Sequence, residues 1–594
     1  MNQFASRRVP ARSGLLLARL AAIALAATPN VALAATPANH SGAARFPVAD
    51  QRFEALAQRY MDGYYAFRPG WATTMGYHNY DAQLEGLSHR SIEAEAARIR
   101  AALAVLMKMD PRRLSEANRI DYDLFRHQAQ GHLFDLIEIR RWENDPSAYN
   151  YGEAILPLIA RSFAPPEARL RLVTARLRQV PRLLQNARAN LKNPPRLYAE
   201  FAAEDFDGLV EFLDKEVPLA FTAVKDSALL ASYDAAKRRA EEATRSYAEW
   251  IRKDLVPRSN GSYVLGTERY RKKLLYDEMI DTPLDTLLAI GSRELARLEA
   301  RYEEAAKAID PSLSVGELVA AMRRDHPSAD SLIPYAEGLL EELRSYCARS
   351  KFIDIPSENR CRVRPTPEFE ASRSFASLDA PGAFETKATE AFYNITLPGA
   401  SWDSARVEQH LQGYSRWTLP SVSAHEAYPG HFVHFLWSKQ APTYVRKGMG
   451  CGSFAEGWGL YCEEAVFDHG YRDHDPKTTF GMLRWALVRS CRLQVGIRVH
   501  TKGMTMDEAV QYFVDHARME HANAEREAYR AAFDPTYIVY TVGALQIRKL
   551  RADVERSQGA AFDLARFHAS MLSQGSLPVA LLRRILLHDS GPTL

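Results

Sequence analysis

The stretch S-A-H-E-A-Y-P-G-H at residues 423–431 constrains the fold more than any other part of the 594-residue chain. It contains two histidines, His425 and His431, with Glu426 directly after the first. Imidazole is a common ligand of Zn²⁺, and catalytic zinc sites combine three protein ligands with one open position. A fold that uses this stretch as a metal site must bring the two rings together and supply a third ligand from elsewhere.

The spacing of the two histidines departs from the His-Glu-x-x-His pattern. They are six residues apart, and about 100° of rotation per residue would turn His431 far from His425 on a regular helix. Pro429 and Gly430 lie between them; proline removes a helical hydrogen bond, and glycine tolerates unusual dihedral angles. We therefore predict a break that returns His431 to the side of His425. His434 is the alternative ligand, although it would face the opposite side of a regular helix.

A second stretch, S-F-A-E-G-W-G-L-Y-C-E-E at 453–464, offers a third ligand in Glu456. The 25 residues that separate it from His431 leave room for a loop and the start of another helix. Glu426 adjoins a predicted ligand, and zinc lowers the pKa of a coordinated water so that a carboxylate can accept its proton. We predict one Zn²⁺ per chain with Glu426 as the general base, although the same donors also accept other divalent ions.

These stretches resemble known proteins. A-E-G-W-G-L-Y at 455–461 is similar to the helix of gluzincin metallopeptidases in which the glutamate is the third zinc ligand. H-E-A-Y-P-G-H and the preceding D-A-P-G-A-F-E at 379–385 resemble more closely a bacterial family catalogued as domain of unknown function 885. Its members are exported or lipoprotein-like helical proteins regarded as zinc peptidases. The resemblance spans most of the chain after residue 34 and is strongest over 379–590.

Carried onto this sequence, the resemblance implies zinc at His425, His431 and Glu456. Gluzincins commonly use a tyrosine or histidine to donate a hydrogen bond to the oxyanion, since charge develops on the carbonyl oxygen during attack. Tyr540 and His500 are the candidates here, and a core or surface role is an equally good interpretation of each.

Three arginines near the candidate donors, Arg484, Arg489 and Arg492, offer a further possibility. A guanidinium group binds a carboxylate through two parallel hydrogen bonds, so any of them could pair with a carboxylate of a substrate. Structural or surface pairing is the favoured interpretation of each one taken singly.

Residues 1–34 are typical of a signal peptide. Four arginines and no acids precede or interrupt a short apolar run, and Val31–Ala34 ends in an A-x-A-like cleavage site. Those arginines account for more than the whole excess of +3, so the remaining chain would carry a net charge of −1. We predict a periplasmic or secreted protein with no nucleic-acid partner and no stable membrane association.

The rest of the chain predicts a mostly α-helical fold. Ala-, Leu-, Arg- and Glu-rich segments fill 46–360 after a mobile tail at 35–45. Proline and glycine interrupt the helical pattern in 361–400, where Ala391–Leu397 suits a strand. That strand could be an exposed edge that pairs with a peptide substrate, or a structural hairpin. We assign 46–360 to an N-terminal helical region and 361–594 to a zinc catalytic region with a metallopeptidase-like fold and a small β element beside the metal.

The combined motif predicts an exported zinc metallopeptidase that hydrolyses peptide substrates through a metal-activated water. A zinc amidase acting on a non-peptide amide is one alternative. The other is a catalytically silent helical protein that keeps the metal for stability, and the intact Glu426 argues against it. The five cysteines are too few for a disulfide scaffold in a chain of this size, and we expect small buried residues; a bridge between Cys347 and Cys361 stays open.

Overall fold

The computed structural model describes residues 47–367, 371 and 374–594. The predicted signal peptide and mobile tail lie outside the described residues. Helices dominate the part before residue 351: α1 (Pro47–Phe67), α2 (Pro69–Thr74), α3 (His89–Leu106), α4 (Glu116–Phe134), α5 (Arg141–Asn144), α6 (Gly152–Ala160), α7 (Pro166–Leu177), α8 (Val180–Asn190), α9 (Arg196–Glu211), α10 (Ser227–Trp250), α11 (Val256–Arg258), α12 (Thr267–Glu278), α13 (Leu284–Ile309), α14 (Val315–Arg324) and α15 (Ala329–Ser350).

Helices resume after residue 400 and continue almost to the end of the chain. They are α16 (Ser404–Leu411), α17 (Leu419–Glu426), α18 (His431–Ser438), α19 (Tyr444–Gly448), α20 (Gly452–Asp468), α21 (Pro476–Thr501), α22 (Met506–Ala517), α23 (His521–Phe533), α24 (Val539–Gln558), α25 (Leu564–Leu572) and α26 (Val579–Leu587). The predicted mostly α-helical fold is therefore confirmed, whereas its likeness to a metallopeptidase fold stays a prediction.

Local sequence signals explain where several helices begin and which face they bury. At the start of α14, Ser314 accepts a hydrogen bond from the backbone N–H of Glu317, whose carboxylate accepts one from the backbone N–H of Ser314. A second capping box is present at the start of α22. Such caps are each worth about 1 kcal/mol. On α13 an apolar stripe of Leu295, Leu298 and Tyr302 is buried in the main core.

A three-stranded sheet forms where helical texture stops. Its strands are β1 (Cys361–Pro365), β2 (Ala376–Asp379) and β3 (Ala391–Ile395), in the order β1-β3-β2. Strand β3 runs parallel to β1 and antiparallel to β2. The predicted small β element is therefore confirmed, and its first strand starts at the boundary predicted from the composition.

The expectation that Ala391–Leu397 forms an exposed edge is wrong. Strand β3 is the central strand, so its main-chain groups are paired with β1 on one side and β2 on the other. A strand bonded on both sides cannot accept a peptide by adding it to the sheet. The residue pattern that predicts a strand is local, so it does not show whether that strand lies at the edge or in the centre of a sheet.

The segment D-A-P-G-A-F-E holds the sheet against the N-terminal helices. Asp379 pairs with the buried Arg161 at 2.6 Å, and the backbone of 382–384 bonds the carbonyl groups of Thr74 and Met75. Residues Val48–Leu594 form one compact unit. The proposed division into an N-terminal and a catalytic region stays a prediction. Within the described residues, no helix has the length and apolarity needed to cross a bilayer.

All five cysteines are buried and free. Cys347 lies in α15 and Cys361 opens β1, and no bridge joins them. Burial raises the pKa of each of these two thiols above its usual value. They are small core residues, in agreement with the prediction from the sequence that the cysteines are buried.

Candidate metal centre

The predicted break between the two histidines is present. Helix α17 ends at Glu426 and α18 begins at His431. The backbone N–H of Gly430 donates to the carbonyl of Ala424 at 2.9 Å, and a Cβ at Gly430 would lie 1.8 Å from the carbonyl oxygen of His425. Only glycine lets the chain fold back this tightly, and the return brings the two imidazole rings to a centroid distance of 4.6 Å at 87°.

Helix α20 supplies the carboxylate. Oε2 of Glu456 lies 3.4 Å from Nε2 of His425 and 3.4 Å from Nε2 of His431. One donor atom from each of these residues falls within 4.8 Å of the other two. We call His425, His431 and Glu456 the candidate triad. The structure thus brings together the three residues that the sequence singled out as ligands.

The candidate triad has an unsatisfied polar atom at its shared point. Oε2 of Glu456, which faces Nε2 of both imidazoles, is buried and forms no hydrogen bond with a described residue. Burial would raise the pKa of Glu456, but the imidazoles of His431 and His425 outweigh it and hold that pKa well below its usual value. Two imidazoles and an ionised carboxylate that share one point fit Zn²⁺ in donor type and number.

A buried carboxylate on helix α20, which also carries Glu456, orients the ring of His425. Glu463 accepts a hydrogen bond at 2.8 Å from Nδ1 of His425, which fixes Nε2 as the atom that faces the candidate triad. The other oxygen of Glu463 accepts from the hydroxyl of Ser421 at 2.7 Å, and Arg489 lies 3.1 Å from the first. These contacts keep the ring from rotating.

Helix α20 approaches this ring closely because of one glycine. A Cβ at Gly459 would lie 2.6–2.8 Å from the ring atoms of His425, nearer than any side chain tolerates. Gly459 and Glu463 are not among the site residues predicted from the sequence. A signal for Glu463 was available, since it follows Glu456 by seven residues, two helical turns, and therefore shares its face.

Glu426, the predicted base, lies next to the candidate triad. Its side chain is buried, and no described residue forms a hydrogen bond with its carboxylate. Burial raises the pKa of Glu426, while the neighbouring His425 and His431 oppose that rise. A buried carboxylate whose oxygen atoms form no hydrogen bond with a described residue, and whose pKa is raised, is suited to act as a general base.

Tyr540 of α24 lies over the candidate triad from a third direction. Its ring is 6.3 Å from that of His425, with 23° between the planes. Arg530 donates to the hydroxyl oxygen of Tyr540 at 3.1 Å, so the hydroxyl proton stays available to another acceptor. Burial raises the pKa of Tyr540, which keeps that proton in place.

Two other histidines of the sequence analysis have different surroundings. Nε2 of His500 bonds the carbonyl of Ala531 at 2.8 Å, and Nδ1 accepts from the backbone N–H of Leu265 at 3.4 Å. Because both ring nitrogens bond the main chain, His500 cannot donate to an oxyanion, and its proposed catalytic role is wrong. His434 bonds Ser576 at 3.1 Å and has its pKa lowered to about 3 by burial, and it lies outside the cluster that the described residues form.

Comparison with known proteins covers most of the chain. The profile of a family described as "Bacterial protein of unknown function (DUF885)" matches residues 69–586. No curated protein matches significantly.

Two solved structures share the fold. One is "a putative lipoprotein of unknown function" from Shewanella oneidensis, with 25% identity, a TM-score of 0.72, and coverage of 90% of this chain and 99% of that chain. The other is "the putative lipoprotein from Colwellia psychrerythraea", with 18% identity, a TM-score of 0.75, and coverage of 91% and 99%. Because the family profile spans most of the sequence, the chain belongs to the bacterial DUF885 family of unknown function.

Proposed function

We propose that this protein is an exported zinc-dependent peptidase. The observation that carries the proposal is the candidate triad, with its three donor atoms within 4.8 Å, beside the unbonded carboxylate of Glu426. A purely structural metal site has no use for a free carboxylate next to its ligands. The proposal therefore assigns the site to hydrolysis rather than to stability alone.

His425, His431 and Glu456 would hold the ion. Zinc bound there would polarise a carbonyl oxygen and lower the pKa of water. Glu463 keeps His425 in one tautomer and one orientation, which favours a site assembled before substrate arrives.

The chain's own residues would move the proton and stabilise charge. Glu426 accepts a proton from the attacking water and later delivers it to the departing amine, because its raised pKa suits both steps. Tyr540 would donate a hydrogen bond from its hydroxyl group to the developing oxyanion, while Arg530 donates a hydrogen bond to the hydroxyl oxygen. The burial of these groups excludes bulk water from their hydrogen bonds.

A direct test combines metal content with hydrolysis. Mature protein should contain about one zinc per chain by mass spectrometry of the metals and should cleave members of a broad peptide library. A chelator should abolish cleavage, and added zinc should restore it. Zinc-loaded protein that cleaves no peptide would contradict the proposal and favour a non-peptide amide or a binding role.

A further inference from the structure

Helix α21 contains an arginine, Arg484, that pairs with none of the acidic residues that the structure describes. Arg484 is half-buried, and no described carboxylate lies within ion-pair distance of it. Its Nε is shielded from solvent and has no hydrogen-bond acceptor. A guanidinium removed from water without a counterion is costly, and such groups are normally paired.

The charged groups around Arg484 do not compensate for it. Among the described residues, the acidic group that acts on it is Glu520, which already forms an ion pair with Arg323. Arg323 adds a second positive charge on the same side, and the hydroxyl of Tyr302 beside them is buried without a partner. Among the described residues around Arg484, positive charges outnumber negative ones, and some hydrogen-bond donors have no acceptor.

The unused donors continue along the helix toward the candidate triad. The indole N–H of Trp485 is buried and bonded to no described residue, and the same holds for Nε of Arg489. Arg489 is itself more than nine-tenths buried, and its guanidinium lies 4.8 Å from the ring centroid of Trp485. Through Glu463 it reaches the ring of His425. The three donor side chains of Arg484, Trp485 and Arg489 start within about one and a half turns of helix α21.

We propose that Arg484, assisted by the indole N–H of Trp485, binds a carboxylate of the substrate. This inference rests on the proposed peptidase function and names its substrate class: peptides that carry a carboxylate on one side of the cleaved bond. Arg484 precedes Arg489 by five residues, or about 7.5 Å of helix. An extended chain covers that length in about two residues, so the bound carboxylate is separated from the cleaved bond rather than adjacent to it.

Two chemical sources supply such a carboxylate, the chain terminus and an acidic side chain. Matched peptides distinguish them: one pair differs as free acid and C-terminal amide, and a second pair contains glutamate or glutamine at one position. We expect the wild-type protein to favour the charged member of one pair by about tenfold or more in kcat/KM, since hydrogen bonds to charged groups reach that size. The difference should appear mainly in KM.

Substitutions assign this preference to its residue. Arg484→Gln should remove the preference by lowering kcat/KM for the charged peptide while zinc content stays at about one per chain, and Arg484→Lys should retain part of the preference. Arg498→Gln is a matched control, because Arg498 lies on the same helix with its guanidinium over Tyr512. It should behave like wild type.

Binding to inactive protein separates this inference from the proposed function. Calorimetry with Glu426→Gln protein should show tighter binding of the charged peptide, and the added Arg484→Gln change should abolish the difference. Equal binding of charged and neutral peptides, or a preference that survives Arg484→Gln, would overturn the inference even if peptides are cleaved. Charge-selective binding without cleavage by wild type would instead overturn only the peptidase.

Discussion

Two histidine–carboxylate clusters in this protein contain the same chemical groups and satisfy them in opposite ways. The first cluster consists of His78, Asp81 and Glu385, and we call it the anchor triad. In it, Nδ1 of His78 bonds Asp81 at 2.8 Å, and Nε2 bonds Glu385 at 2.9 Å. Burial would lower the pKa of His78, but these two carboxylates outweigh it and raise that pKa to about 9. Both nitrogens are used, and the imidazolium forms a closed ion-pair network.

The candidate triad leaves its groups open. Glu456 lies 3.4 Å from both imidazoles, and its Oε2 forms no hydrogen bond. Because both clusters combine histidine with carboxylates, residue type alone does not distinguish a candidate metal site from an ion-pair network. What distinguishes one is a set of donor atoms aimed at a shared point and left without partners.

The largest expected effect is on zinc content. His431→Ala should lose most of the metal, because it removes one of three ligands. His78→Ala, which removes a histidine of the same kind from the anchor triad, should keep about one zinc per chain. Metal analysis of both purified proteins checks the comparison. Full occupancy in His431→Ala protein would remove His431 from the site and reopen the case for His434.

The next effect concerns catalysis at retained metal. Glu426→Gln preserves shape and keeps zinc, but the amide cannot accept a proton. General-base catalysis is worth about 10²–10⁴-fold, and we expect a loss of that size, mainly in kcat. Glu385→Gln, a matched change in the anchor triad, should leave kcat near the wild-type value. Near-normal hydrolysis by zinc-replete Glu426→Gln protein would mean that the base is elsewhere.

A smaller effect tests the carboxylate that orients His425. Glu463→Gln should weaken zinc affinity by about 10–100-fold, the usual result when the partner of a ligating histidine is changed, because the amide lacks the negative charge of the carboxylate. The measurement is a competition titration against a chelator. Glu464→Gln is the control, since Glu464 pairs with arginines rather than with a histidine. Unchanged affinity in Glu463→Gln protein would contradict the assigned role.

The smallest effect is on stability and depends on pH. The pKa of His78 is about 9 in the folded protein and about 6.5 in an unfolded chain. Its stabilisation is therefore fully present below about pH 6.5 and is lost as pH rises through about 9. His78→Gln should lower the thermal midpoint by a few degrees at pH 6 and by less at pH 10.

Glu385, an acidic partner of His78, makes stability depend on pH at the acidic end of the range. Burial would raise the pKa of Glu385, but His78 and the backbone N–H groups of Lys387 and Ala388 outweigh it and lower that pKa to about 2. Its stabilisation is present above about pH 4.3 and is lost as pH falls through about 2.

A thermal midpoint difference between His78→Gln and wild type that is constant from pH 6 to 10 would show that the anchor triad does not carry the charge assigned to it.

Much of the fold and of the candidate site could be predicted from local sequence. The break at Pro429–Gly430, the capping boxes and the strand near Ala391 all follow from interactions between residues close in the chain. Such interactions follow the periods of helix and strand, which a sequence displays directly. His425, His431 and Glu456 could also be predicted as metal ligands from the sequence, because their residue types and spacing leave few other candidates.

Only the tertiary structure decided which of these groups keep free atoms and which do not. Glu463 meets His425 across 38 residues of sequence, and Glu385 meets His78 across 307. The central position of β3 likewise depends on two strands that approach from opposite sides. The physical reason is that hydrogen-bond partners are set by packing between distant elements, whereas periodicity records only which face of an element is buried.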